Sequence, residues 1–140
     1  MTSFWIAIIA ALIWGATAIV EKMGLRDADP MAGLWARCMG ATAGILLLTA
    51  AWPPILQHVA KMGIRSFTLL ATSGLAAAVV GQLFFYKALK TGEIGRITAL
   101  SGSWPLVAFL LSLALGRESL TPQKFIGVVL VVAGMAFLKQ

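Results

Sequence analysis

Five long apolar runs, separated by short polar connections, make up nearly the whole chain. They extend from Phe4 to Val20, Met31 to Ala51, Phe67 to Leu89, Ile94 to Leu115 and Pro122 to Leu138. A helix crossing roughly 30 Å of hydrocarbon needs about 20 apolar residues at about 1.5 Å each. Each run comes near that length. The segment from Gly24 to Pro30 separates the first two with two aspartates, an arginine and a proline. Trp52-Pro53-Pro54 ends the second, and the stretch onward to Arg65 is expected at the interface. Lys90 to Glu93 holds the third turn and Arg117 to Thr121 the fourth. The first, third and fourth connections are short, so neighbours in sequence are expected to run antiparallel and touch. No segment alternates in the manner of a barrel strand. The fold predicted is an all-α membrane protein, a bundle of five transmembrane helices formed by residues 1–140 as one domain.

Composition agrees with this pattern. Of 140 residues, 60% are hydrophobic and 11% charged, where a soluble domain carries about 25% charged residues. The net charge of +6 does not point to nucleic acid, because the basic residues sit near the ends of apolar runs, where membrane proteins keep them. The first run has no Lys or Arg before it and exceeds the apolar core of a signal peptide, so it is expected to be retained as a helix. No internal repeat or low-complexity segment is visible. Cys38 is the only cysteine and His58 the only histidine, which leaves no intrachain disulfide and no cysteine-based metal site.

Small residues recur at four-residue spacing, as in Ala7/Ala11/Gly15, Ala36/Gly40/Gly44, Ser73/Ala77/Gly81 and Ala108/Ser112/Gly116. Such stripes let a second backbone approach closely. They suit packing within one bundle, and also pairing with a second copy. Five helices enclose little volume for an aqueous path, and many transporters place their site between two inverted repeats. The chain is therefore expected to be one half of an inverted-repeat transporter, working as a homodimer or with a paired half. With five crossings, one side carries Lys61, Arg65, Arg117 and Lys124. The other carries Lys22, Arg26, Arg37, Lys87, Lys90, Arg96 and Lys139. The richer side is normally cytoplasmic, which predicts N-terminus out and C-terminus in.

No enzyme constellation, metal cluster or phosphate-binding loop is present, and no cofactor is implied. All five acidic residues, Glu21, Asp27, Asp29, Glu93 and Glu118, lie at or near helix ends. Polar and amphipathic groups within the runs are better clues, since lipid does not satisfy them. Trp14 lies near the middle of the first helix. Gln82 lies within the third, with Tyr86 and Lys87 about one turn later. Ser101, Ser103, Trp104 and Pro105 share the fourth, where the proline removes a backbone donor and frees a carbonyl near Ser101. A kinked helix beside two hydroxyls and an indole is suited to lining a cavity and hinging. Against this, the tryptophans fill core space equally well, and serines bond back to their own helix. Arg37, about one turn inside the second helix, is placed to hold Glu21 or a substrate anion. Lys22, Lys87 and Lys90 suit snorkelling to headgroups, and Glu118 suits the N-terminus of the fifth helix.

These residues, taken in order, resemble the EamA family of the drug/metabolite transporter superfamily. The resemblance rests on Trp14-Gly15-Ala16-Thr17-Ala18 leading to Glu21-Lys22-Met23-Gly24, on Arg37, and on the stretch from Phe84 to Gly92. It is strongest in Leu115-Gly116-Arg117-Glu118-Ser119-Leu120-Thr121 followed by Gly127 to Gly134. It implies secondary transport of a small organic solute across the cytoplasmic membrane, without ATP. It also implies a half-size unit that dimerises, since most members hold two such domains in one chain. Small multidrug resistance relatives carry a glutamate in the first helix ahead of a lysine, and counting back from Lys22 that place holds Trp14. The resemblance therefore does not imply cation export on a central carboxylate. An anionic or zwitterionic solute met by Arg37 or Lys87 suits the charges better. A flippase subunit for lipid-linked sugars and a non-transporting membrane scaffold remain the alternatives.

Overall fold

The computed structural model describes residues 2–119 and 121–138. Lys139, counted above for orientation, lies outside them. Among the described residues every regular element is helical. Helices α1 (Ser3–Gly24), α2 (Pro30–Ala51) and α3 (Ile55–Lys61) are followed by α4 (Ile64–Gly74), a π-helical stretch (Leu75–Gly81) and α5 (Gln82–Thr91). Then come α6 (Ile94–Ser101), α7 (Trp104–Ala114) and α8 (Pro122–Phe137). Four spans are long and apolar enough to cross a membrane: Ser3–Gly24, Pro30–Ala51, Ile64–Thr91 and Ile94–Ala114. The fifth expected crossing, Pro122–Phe137, is an apolar helix of 16 residues. At about 1.5 Å per residue it measures roughly 24 Å, shorter than the other four.

Helix boundaries follow local chemistry. Asp29 caps α2, its Oδ1 accepting from the amides of Met31 at 2.8 Å and Ala32 at 3.4 Å. Pro30 then occupies the first turn, where its missing N–H removes no helical bond. The helix stops at Trp52, before two prolines. Between Gly74 and Gln82 the third span widens to π geometry, and the Gln82 amide donates to the Ala77 carbonyl five residues back. Six of the seven residues in this stretch, Leu-Ala-Ala-Ala-Val-Val-Gly, are aliphatic and one is glycine. None of them offers a side-chain hydrogen bond.

The fourth span, expected as one kinked helix, is divided at Gly102–Ser103 into α6 and α7. Pro105 is thereby moved from a helix interior into the first turn of α7, where it is harmless. Gly102 suits the break, because a Cβ there would stand 2.9 Å from the Thr98 carbonyl oxygen. After α7, Gly116 takes φ 64°. The amides of Gly116 and Arg117 then donate to the carbonyls of Leu113 at 3.0 Å and Ser112 at 2.9 Å. That is the paired-bond ending which favours glycine at the left-handed position. Thr121 caps α8 through the Lys124 amide.

The chain divides into two units, residues 21–90 and residues 1–20 with 91–140. In the second of these, Lys124 pairs with Glu118 at 2.9 Å and its ammonium lies 5.6 Å from the centre of the Phe109 ring. In the first, Leu25, Leu34, Tyr86 and Leu89 are buried. Most other large apolar side chains of the spanning helices are exposed. Removing so much apolar surface from water requires a lipid or protein environment around the helices.

Candidate functional site

The site is assembled in the unit of residues 21–90, where the end of α1, the first half of α2 and the whole of α5 meet. Three backbone ties hold these segments. The Lys22 ammonium donates to the carbonyls of Leu89 and Lys90 at the end of α5, where cations complement the helix dipole. The Lys90 ammonium donates to the Ala28 carbonyl at 2.7 Å, fastening the same end of α5 to the loop between α1 and α2. Close packing completes the arrangement. Leu89 is fully buried and Tyr86 is 3% exposed. Gly33 lets Leu25 and the Tyr86 ring lie against α2, since a Cβ there would stand 2.8 Å from Leu25 Cδ2 and 3.5 Å from Tyr86 Cε2.

On this frame Glu21 is the hub of a polar group. Its Oε1 accepts from Arg37 Nε at 3.1 Å and from the Gln82 amide at 3.4 Å. The Tyr86 side chain interacts with Glu21, with Gln82 and with the Arg37 charge. The depth of these residues is informative. Arg37 lies roughly 10 Å along α2 from Pro30, and Gln82 roughly 14 Å from Thr91, at about 1.5 Å per residue. Both therefore sit well inside spanning helices, where charged and amide groups are expensive and mark pathways for polar solutes. Glu21 keeps 18% and Arg37 39% of its side chain exposed. Only Nε of Arg37 is engaged; its two terminal nitrogens make no hydrogen bond to the described residues.

Of the residues singled out from sequence, Arg37, Gln82 and Tyr86 are brought together here. Lys87 is exposed and stands outside the group. The other five belong to the second unit. Trp14 is exposed on α1, its carbonyl accepting from the Thr17 hydroxyl at 2.9 Å. Ser101 ends α6, and Ser103 precedes α7 with its hydroxyl donating back to the Leu100 carbonyl at 2.7 Å. Trp104 and Pro105 form the exposed first turn of α7. Ser103 therefore bonds back to its own helix segment, the plainer of the two roles considered for it. Sequence reasoning left out Glu21 as a site residue. Its signal was Arg37, the only charge that deep in α2, which needs a counter-charge within reach. Among the described residues no group of three or more His, Cys, Asp or Glu is placed to hold a metal ion.

Residues 1–139 match the model of the EamA-like transporter family. An uncharacterized transporter of Bacillus subtilis, YwfM, is 30% identical over 129 residues, which is 91% of this chain and 41% of that protein. An uncharacterized transporter from the cobO 3′ region of a Sinorhizobium species is 30% identical over 139 residues, covering 96% of this chain and 94% of its own length. An uncharacterized protein of Methanocaldococcus jannaschii, MJ1333.1, is 35% identical over 60 residues, 43% of this chain and 44% of that one. The chain thus spans well under half of the Bacillus relative and nearly all of the Sinorhizobium one. No solved structure matches.

Proposed function

Because this chain belongs to the EamA-like transporter family, we propose that it is a half-size secondary transporter, moving a small organic solute across the cytoplasmic membrane as a homodimer or with a paired half. In this reading residues 1–140 form one domain of five crossings, one half of an inverted-repeat arrangement, with the N-terminus out and the C-terminus in. Partners are the bilayer and the solute; nucleic acid, a cofactor and an enzymatic step have no part. The single observation that carries the reading is the Glu21–Arg37–Gln82 group, in which Arg37 and Gln82 lie well inside otherwise apolar helices and Glu21 meets them from near the end of α1. A scaffold has no use for such a group, and lipid leaves it unsatisfied.

The pairing is supported by two facts. Most large apolar side chains of the spanning helices are exposed, and the Bacillus transporter has room for more than one stretch of this length. Trp14, Arg37, Gln82, Tyr86, Lys87, Ser101, Ser103, Trp104 and Pro105 are proposed to line the solute path.

The test is a thermal-stability screen of the purified protein against a metabolite library. A solute at a hundred times its Kd stabilises the folded state by about 2.7 kcal/mol. Gln82→Leu and Trp104→Phe are expected to weaken any such shift. If both variants bind the solute as the parent does, the residue list is wrong. Cross-linking in native membranes that yields monomer alone removes the homodimer.

A further inference from the structure

At one end of the unit of residues 21–90, Lys22, Met23, Arg26 and Lys90 line an open cleft of about 370 Å³. From it we infer that this end of the protein binds an anionic phospholipid, with the phosphate among the three cations and the acyl part against Met23. The inference does not depend on which solute is carried. Lys22 and Met23 belong to the last turn of α1, Arg26 to the loop after it, and Lys90 to the last turn of α5.

The cations are held in place by the backbone. Lys22 is tied to the carbonyls of Leu89 and Lys90, and Lys90 to the Ala28 carbonyl at 2.7 Å. An ammonium has three donors, so Lys90 keeps others for a ligand, while Lys22 contributes charge. The exposed Arg26 guanidinium makes no hydrogen bond or ion pair to the described residues, and its planar fork matches phosphate oxygens. No acidic side chain lines the cleft. Of the carboxylates in this unit, Glu21 is held by Arg37, Asp29 caps α2, and Asp27 is exposed in the loop. The ends of α1 and α5 each bring about half a negative charge. Three cations therefore leave an excess of about two positive charges, enough to attract a phosphodiester.

Depth and lining favour a lipid over a soluble phosphate. The cleft lies where two candidate spans end, Ser3–Gly24 and Ile64–Thr91. At about 1.5 Å per residue α1 measures roughly 33 Å, close to the hydrocarbon thickness, so its last turn comes level with the headgroups. Basic clusters at that depth recognise lipid phosphates. Met23 is 71% exposed and gives the cleft an apolar wall that suits an acyl chain.

The experiment titrates the purified full chain, in mild detergent, with phosphatidylglycerol and with phosphatidylcholine of the same acyl chains, and counts bound lipid by native mass spectrometry. The unaltered chain is expected to prefer phosphatidylglycerol about tenfold, and one basic residue is worth about fivefold. Arg26→Gln should thus lower phosphatidylglycerol affinity about fivefold and leave phosphatidylcholine unchanged. Arg65, in the exposed first turn of α4 at the other end of the same span, is the control: Arg65→Gln removes an equal charge and should leave both lipids unchanged. Equal binding of the two lipids to the unaltered chain overturns the proposal without need of any variant. Equal losses in Arg26→Gln and Arg65→Gln overturn it too, since they would report net charge rather than a site. Glycerol phosphate in large excess is expected not to displace the lipid; if it does, the cleft takes a soluble phosphate compound and the lipid assignment falls. None of these outcomes bears on the transport reading, which the metabolite screen tests.

Discussion

Arg37 reaches from the second long helix to Glu21 at the end of the first through one nitrogen, 3.1 Å from one carboxylate oxygen. Single contacts of this kind inside apolar helices are costly to break from one side, because the survivor is left charged and alone. Arg37→Gln is therefore expected to lower stability in detergent. Partial exposure of both side chains discounts the loss to about 1–3 kcal/mol. The double variant Glu21→Gln with Arg37→Gln should recover part of it, and a double-mutant cycle from thermal unfolding reads the coupling. Strict additivity would show that the two residues do not support each other.

The pair Lys124–Glu118 provides the contrast. Both side chains are more than two-fifths exposed, and such pairs are worth about 0–1 kcal/mol. Glu118→Gln is expected to change the melting temperature by no more than a degree or two, and less still in high salt.

Leu89 is the most enclosed side chain among the described residues and lies near the end of α5, where its carbonyl accepts from Lys22 of α1. Leu89→Ala should leave a cavity and cost about 2 kcal/mol or more. Leu89→Met, which conserves volume, should cost less than about 1.5 kcal/mol. Unfolding curves of the three proteins in one detergent give the comparison, and equal losses would mean the site collapses without penalty.

Lys22 supplies hydrogen bonds to two carbonyls at the end of α5. Lys22→Met keeps the stem and removes the donor, with an expected cost of about 1–2 kcal/mol. Lys22→Arg should restore most of it. Hydrogen exchange at the amides near Thr91 is the readout that separates a local fraying from a global loss.

Gly116 holds a positive φ with two amide bonds closing the end of α7. Gly116→Ala is expected to cost about 1 kcal/mol, and Gly116→Asn less, because asparagine tolerates the left-handed region. A melt series in which alanine is neutral would show that the turn can relax.

The spanning helices were legible because hydropathy reports them directly, and three of the boundaries lie where Asp29-Pro30, Trp52-Pro53 or Gly116 interrupts an apolar run. The division at Gly102–Ser103 was half legible. Pro105 announced a disturbance, but it falls two to three residues earlier, since a proline is best accommodated in a first turn rather than at a kink. Gln82 and Arg37 could be picked out singly because each is polar among apolar neighbours. Their common partner was legible in part: Arg37 was placed to hold Glu21 or a substrate anion, whereas the contact of Gln82 with Glu21 depends on how α1 and α5 fold together. The π-helical stretch left no trace, having neither proline nor polar side chain to betray it.

That stretch fixes which way the rest of its helix points. Every residue of an α-helix turns the chain by about 100°, so a segment wound wider carries all that follows to a different bearing. The azimuth of Gln82 and Tyr86 is thus set by Leu75–Gly81 rather than by anything in their own sequence. Deleting one alanine from Ala76–Ala78 would rewind the span to regular pitch without altering a single polar residue. Glu21 would then face a different edge of the helix, like a key cut correctly but inserted at the wrong angle.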